Sequence, residues 1–424
     1  MKRLLLALMT GALVVAPARA QTVPETSPAA RVEPAYRRTP QLRVDPFRHV
    51  LTPRWGMVFS VGAFGSNNAL SAADIRALVF LENQDSLLIS DILNAIGLIP
   101  LGKDALLDAQ AEAGVYLGGP LGGHLSLGLS YQGRGYGSFV VDREMVSLLL
   151  EGNAAQQQFS VGDTKAGGLA TQEIGAHAMV RLGPLGSEDG VHMSVGAGGR
   201  YLLPIAYGEE RTLLEDAQVL VSGQLVSANV DIQAAHTPNV QFAGRGSGIA
   251  MDFLLRMDWP TSGVYFEGLL GNIGKVTIDQ VERRRLTFNV NSTDIQEIAD
   301  SLEAVEFAVQ DTVDGLSVTL PRFVRFSGGA WANRILQLDM SATVPLGGDF
   351  QIPLAVDLWS TWRLVPAVPL RLGLVLGGST GIGYTAGIGV ETRNLLLQVM
   401  GGSFGGWFND AKGAAARFEL GVFF

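Results

Sequence analysis

The chain has 424 residues, a formal net charge of −9, 53 glycines, 18 prolines and no cysteine. The missing cysteine excludes disulfides, thiolate metal centres, a catalytic thiol and a lipidated cysteine anchor, and the acidic balance excludes a basic nucleic-acid groove. A hydrophobic share of 47% is too high for a disordered chain, while the density of glycine sets this apolarity apart from that of membrane helices.

In chain order, residues 1–20 have the build of a secretory signal. Lys2 and Arg3 precede the apolar run Leu4 to Ala16, and Ala18-Arg19-Ala20 stands before Gln21, so cleavage is expected after Ala20. Residues 21–53 carry Pro24, Pro28, Pro34, Pro40 and Pro46 among arginines and are expected to be an extended, unpacked periplasmic tail. Beyond them, Ala113 to Gly133 and Leu372 to Val390 are free of Asp, Glu, Lys and Arg, but Gly118-Gly119-Pro120 and Gly377-Gly378-Ser379 cut both runs. Neither can be a spanning helix.

Residues 54–424 show a period of two instead. In Gly248–Asp258, Ile249, Met251, Phe253, Leu255 and Met257 alternate with Asp252, Arg256 and Asp258. In Arg334–Leu346, Leu336, Leu338, Met340 and Val344 alternate with Gln337, Asp339 and Thr343; in Phe350–Arg363 the apolar set is Phe350, Ile352, Leu354, Val356, Leu358 and Trp362. An exported chain that offers such a face to hydrocarbon must pair every backbone group, which leaves a closed barrel. The expectation is an all-β, transmembrane antiparallel β-barrel. Its strands are placed near 54–64, 111–118, 122–133, 168–183, 190–204, 247–258, 261–273, 323–331, 334–345, 350–362, 367–377, 383–391, 394–402 and 414–424. That makes about fourteen strands with both ends in the periplasm, short turns there and long loops outside. Alternating runs near 217–233 and 282–290 are assigned to outer loops; counting them as wall gives sixteen strands. Short helices are expected in the long loops at Ser71–Leu81, Asp85–Ile96, Arg143–Leu150 and Thr293–Leu302.

The opposite face supplies the lumen: Glu173, His177, Arg181, His192, Arg200, Asp252, Arg256, Glu267, Arg325, Asp339, Asp357, Arg363, Arg371, Arg417 and Glu419. The signs are mixed, which argues for cross-strand pairs and against a strongly ion-selective pore. A 168–204 hairpin centred between Gly186 and Ser187 sets Glu173 opposite Arg200. Ser379 and Ser403 sit in G-x-S-x-G matches, but neither precedes a helical pattern, as a nucleophile elbow requires. The histidines (His49, His124, His177, His192 and His236) lie at no metal spacing, so neither metal nor cofactor is expected. Arg283-Arg284-Arg285 is either a solvated loop tip or a contact for lipopolysaccharide phosphates.

The chain ends Arg417-Phe418-Glu419-Leu420-Gly421-Val422-Phe423-Phe424. With Phe418, Leu420, Val422 and Phe424 in alternation, it resembles the terminal-strand signal that the barrel-assembly machinery of bacterial outer membranes reads. Phe59 to Ile99, Arg143 to Asn153, and the strands Gly196–Tyr207 and Gly248–Gly274 resemble an uncharacterised family of outer-membrane barrels with FadL/PorV-type architecture. That resemblance implies an outer-membrane location and contact with lipid and lipopolysaccharide. Its FadL side implies passage or binding of small hydrophobic molecules, and its PorV side a non-transporting scaffold for surface or secreted proteins. No Asn-Pro-Ala plug motif of the FadL kind stands in the sequence.

Overall fold

In a computed structural model the described residues are 46–47, 49–52, 54–68, 71, 104–144, 158–160, 164–185, 190–212, 218–222, 225–238, 245–259, 262–292, 308–350 and 352–424. The strands are β1 (Gly56–Asn67), β2 (Ala105–Pro120), β3 (Leu125–Val141), β4 (Gln158–Ser160), β5 (Lys165–Leu185), β6 (Val191–Thr212), β7 (Gln218–Ser222), β8 (Leu225–His236), β9 (Gly246–Trp259) and β10 (Val264–Ile278). They continue as β11 (Val281–Ser292), β12 (Ala308–Val313), β13 (Leu316–Thr319), β14 (Arg322–Trp331), β15 (Leu336–Gly347), β16 (Ala355–Val365), β17 (Val368–Gly377), β18 (Gly381–Glu391), β19 (Leu395–Phe404) and β20 (Gly413–Phe423).

Antiparallel pairing runs β1–β2–β3–β5–β6–β9–β10–β14–β15–β16–β17–β18–β19–β20 and returns from β20 to β1, from Gly56↔Phe423 to Ser66↔Gly413. This is a closed wall of 14 strands. Closure leaves no open edge, so each wall strand is hydrogen-bonded on both sides. The sixteen-strand alternative falls. The run near 217–233 forms β7 and β8, and that near 282–290 forms β11. These strands, with β4 and β12, make an annex outside the circuit, joined to it through β6 (Gly208↔His236 to Thr212↔Ile232). The annex has a simple cause: β5 and β6 have 21 and 22 residues. At ~3.3 Å per residue each spans roughly 70 Å, well beyond a lipid belt about 25 Å tall.

The period of two becomes the two faces of the wall. Met57, Phe59 and Val61 on β1, Ile249, Met251, Phe253 and Leu255 on β9, and Phe418, Leu420 and Val422 on β20 all point outward and are exposed. Their neighbours Ser60, Asp252, Arg256, Arg417 and Glu419 are buried inside. A soluble protein shows the reverse arrangement.

Four expectations need correction or lie out of view. First, the tail is not unpacked throughout: Phe47, His49, Val50 and Thr52 are buried within the barrel. Pro46 gave no warning, because a proline-rich stretch has no alternation to read. Second, the strand expected at 350–362 begins only at Ala355. Phe350 and Ile352 turn into the lumen and are buried, since Pro353 has no N–H for the ladder and Gly347 and Gly348 hold positive φ of 93° and 141° in the turn before them. Third, Glu173 pairs with Leu202 and Arg200 with Gly175, two residues from the expected register, with a further shift between Leu182 and Pro184. β5 and β6 do pair antiparallel, but the hairpin centred between Gly186 and Ser187 is refuted with the opposition it required. Fourth, the loop helices fall outside the described residues, apart from Ser71, Arg143 and Glu144.

Candidate functional site: an obstructed lumen

The interior is blocked from both ends by chain that is not part of the wall. At the short-turn end, Trp55 anchors the incoming segment through Nε1 to the Pro120 carbonyl, 2.9 Å. A tight turn (Val50 N to Phe47 O, 3.1 Å; Thr52 Oγ1 to His49 O, 3.1 Å) then carries Phe47 and Pro46 upward. Glycines of the wall make room for the segment at its closest approaches. A Cβ on Gly128 would lie 2.1 Å from His49 Cδ2, and one on Gly196 would lie 2.9 Å from the Phe47 ring. Phe47, Val50 and Leu51 pack with Met179, Leu254, Leu269, Phe323 and Ile352. Ile352 belongs to the segment that descends from the opposite end, so the two insertions meet.

Above this contact lies a girdle of charge. Arg200 of β6 is its hub: Nε bonds Asp252 Oδ2 at 2.8 Å, Nη1 meets Glu173 Oε2 at 2.5 Å and Nη2 bonds Asn272 Oδ1 at 2.6 Å. Gln132 Nε2 donates to Glu173 at 2.7 Å, and the Tyr116 hydroxyl donates to Gln132 at 2.8 Å. Asn272 occupies a bulge in β10, at φ 59°. Its N–H bonds Asp252 Oδ1 at 2.9 Å, and its Nδ2 bonds the Pro321 carbonyl at 3.0 Å. The strain of a non-glycine residue at positive φ is offset by these bonds. Beyond the girdle the lining turns apolar, with Leu169, Leu202, Ala250, Val276, Leu320 and Phe350 in one buried cluster. Among the described residues a cavity of about 20 Å³ lies between Pro46, Arg134, Tyr136, Asn272, Phe323 and Ile352, room for one water.

The other lumen charges form separate pairs along the wall. Arg417 bonds Glu112 and Glu419, both at 2.7 Å. Arg256 bonds Asp258 and Glu267 at 2.7 and 3.2 Å, and Arg363 and Arg371 share Glu391. Asp339 accepts from Tyr265 at 2.7 Å, Arg325 Nε lies 3.2 Å from Thr343, and Asp357 accepts from Ser341 at 3.1 Å.

Of the residues predicted to line the lumen, Glu173, His177, Arg200, Asp252, Arg256, Glu267, Arg325, Asp339, Arg363, Arg371, Arg417 and Glu419 are buried, and His192 and Asp357 are half-buried. Arg181 has the inward parity but stands exposed at the short-turn end. Sequence reading missed Arg134, Gln132, Glu112, Asn272 and Glu391. Arg134 lies past the expected end of its strand because glycines at 133, 135 and 137 silence the outward half of the alternation. Asn272 was hidden by the bulge, which flips the parity of β10.

Arg285 is clamped on Asp231, and Arg284 lies 3.4 Å from Glu282, so two members of the arginine run spend charge within the annex. Ser379 donates to Asp108 at 3.0 Å and shares a hydrogen bond with Ser66, while Ser403 donates to the Gly406 carbonyl at 2.7 Å. Among the described residues neither serine bonds a histidine, and no group of three or more His, Cys, Asp and Glu is placed to hold a metal.

A closed wall with an apolar outer belt and a polar, ion-paired interior defines an outer-membrane-type β-barrel protein. Its fold is similar to that of the toluene transporter TbuX of Ralstonia pickettii (8% identity, 90% of this chain and 93% of that one, TM-score 0.46). It is likewise similar to the toluene transporter TodX of Pseudomonas putida (8%, 90% and 93%, 0.47) and to a FadL homologue of Pseudomonas aeruginosa (11%, 89% and 91%, 0.42). These likenesses concern the course of the chain alone. No protein-family profile and no curated protein matches the sequence.

Proposed function

We propose that the chain is an outer-membrane conduit that passes or captures small hydrophobic molecules and is shut in the described state. One observation carries this reading: Phe47, His49 and Val50 from one side and Phe350 and Ile352 from the other enter the lumen from outside the wall ladder, in addition to the wall's own side chains. A barrel that needed only to be solid could be filled from its own strands, as small barrels are. The apolar cluster above the girdle offers a small hydrophobe a surface on the long-loop side, and paired charges of both signs give ions no dominant field. The mature chain begins at Gln21 in this reading, its outward face meets lipid and lipopolysaccharide, and the Phe418–Phe424 alternation serves assembly. The annex of β4, β7, β8, β11 and β12 favours a second reading, a scaffold for surface or secreted proteins. Uptake of a radiolabelled fatty acid or aromatic hydrocarbon into vesicles with a lipopolysaccharide leaflet tests the first. Uptake above that of empty vesicles, raised by removal of residues 46–52, supports it; no difference with either protein refutes it.

A further inference from the structure

The seat of residues 46–52 contains a feature that obstruction alone does not require. His49 on the segment and His177 on the wall meet inside the barrel, their ring centroids 5.1 Å apart and the rings nearly perpendicular. The two residues are 1% and 3% exposed. Phe47 packs edge-on to His177 at 5.3 Å, and Tyr116 lies 5.4 Å from His49. Space for both rings comes from missing side chains, Gly128 under His49 and Gly198 under His177. Among the described residues neither ring nitrogen of His177 has a hydrogen-bond partner.

We propose that this imidazole pair makes residues 46–52 an acid-released stopper, seated while both rings are neutral and displaced when the pair takes up a proton. The inference rests on the segment being what shuts the lumen. The groups that face the pair set its direction. Arg200 comes from β6, Arg134 from β3 and Glu173 from β5, and Tyr116 from β2, with Glu112 behind it held by Arg417. Glu173 already takes bonds from Arg200, Gln132 and Thr171. A proton on His177 therefore places a cation beside two guanidinium groups and a second imidazole, with water excluded. Displacing the segment hydrates both rings, and a hydrated imidazole binds a proton near pH ~6.5. The displaced state holds more protons, so seating is complete above that pH. Below it, seating weakens about tenfold per pH unit for each imidazole that titrates.

The chain has no cysteine, so Leu51→Cys carries a single nitroxide on the segment, followed by electron paramagnetic resonance in liposomes from about pH 8 to about pH 4.5. The expected result is an immobile spectrum that gives way reversibly to a mobile one below about pH 6.5, and stays immobile throughout in His49→Phe/His177→Phe. Should the double variant fail to assemble, His49→Gln/His177→Gln is its non-titrating substitute. An immobile wild-type spectrum down to the lowest pH overturns the proposal, and so does the same transition in the phenylalanine variant. Tracer flux in the same vesicles separates the two ideas: an acid-mobilised label without flux upholds the acid release and defeats the conduit, whereas flux past an always immobile label overturns the stopper.

Discussion

Phe47→Ala tests the seating of the inserted segment. Phe47 is fully buried; its ring meets His177 at 5.3 Å, and it packs in one cluster with Met179, Leu254 and Leu269. Truncating a buried phenylalanine costs about 3–5 kcal/mol. That corresponds to a shift on the order of a hundred- to several-thousand-fold in the ratio of seated to unseated segment. The loss has a distinctive destination. Wall pairing begins at Gly56, so the truncation removes no ladder bond. Conductance through single barrels in a planar bilayer is therefore expected to show open events that the parent protein lacks, while the temperature at which the folded, fast-migrating gel band is lost stays unchanged. A barrel that unfolds earlier and remains closed would refute the reasoning, because it would make Phe47 part of the wall's stability rather than of a separable obstruction.

Three further substitutions probe other levels. Gly128→Val places a side chain where a Cβ already lies 2.1 Å from His49, and should raise conductance as Phe47→Ala does while leaving assembly intact. Arg200→Met takes the guanidinium from Asp252 and leaves Glu173 to Arg134, 3.5 Å away; breaking a buried pair in this way costs about 3–5 kcal/mol. The gel-shift temperature should fall, and adding Asp252→Asn should restore part of it. Phe418→Arg sets a charge on the lipid side at the middle of the closing strand, where it costs ~2–4 kcal/mol at mid-bilayer, and should lower the folded fraction in liposome refolding. The inward change Gln398→Arg should not.

The wall was legible because lipid enforces one rule on every strand. The outward residues must be apolar, so Ile249, Met251, Phe253 and Leu255 announce both their strand and its direction. The same rule separated wall from annex: β7, β8 and β11 alternate too, yet counting them breaks the order of short turns and long loops. What stayed hidden is what that rule does not govern. Phe47, His49 and Val50 sit inside a barrel whose demand on them is fit to glycines distant in sequence, and no periodicity expresses such fit. Phe350 and Ile352 carried the outward parity of a strand they do not join, because Pro353 and the glycines before them bend the chain inward. The girdle was half visible. Glu173, Arg200 and Asp252 could be placed on one face, but their true partners depend on a register set two residues away and on the bulge that brings in Asn272.

The central claim is that this chain is a wall with lipid outside and packed protein inside. A scan of single cysteines carrying bimane along β9, at Ile249, Ala250, Met251, Asp252, Phe253 and Leu254, tests it in bilayers containing brominated lipid. The account predicts strong quenching at Ile249, Met251 and Phe253, and weak quenching at Ala250, Asp252 and Leu254. Uniform quenching along the strand, or none at any of the six, would contradict it.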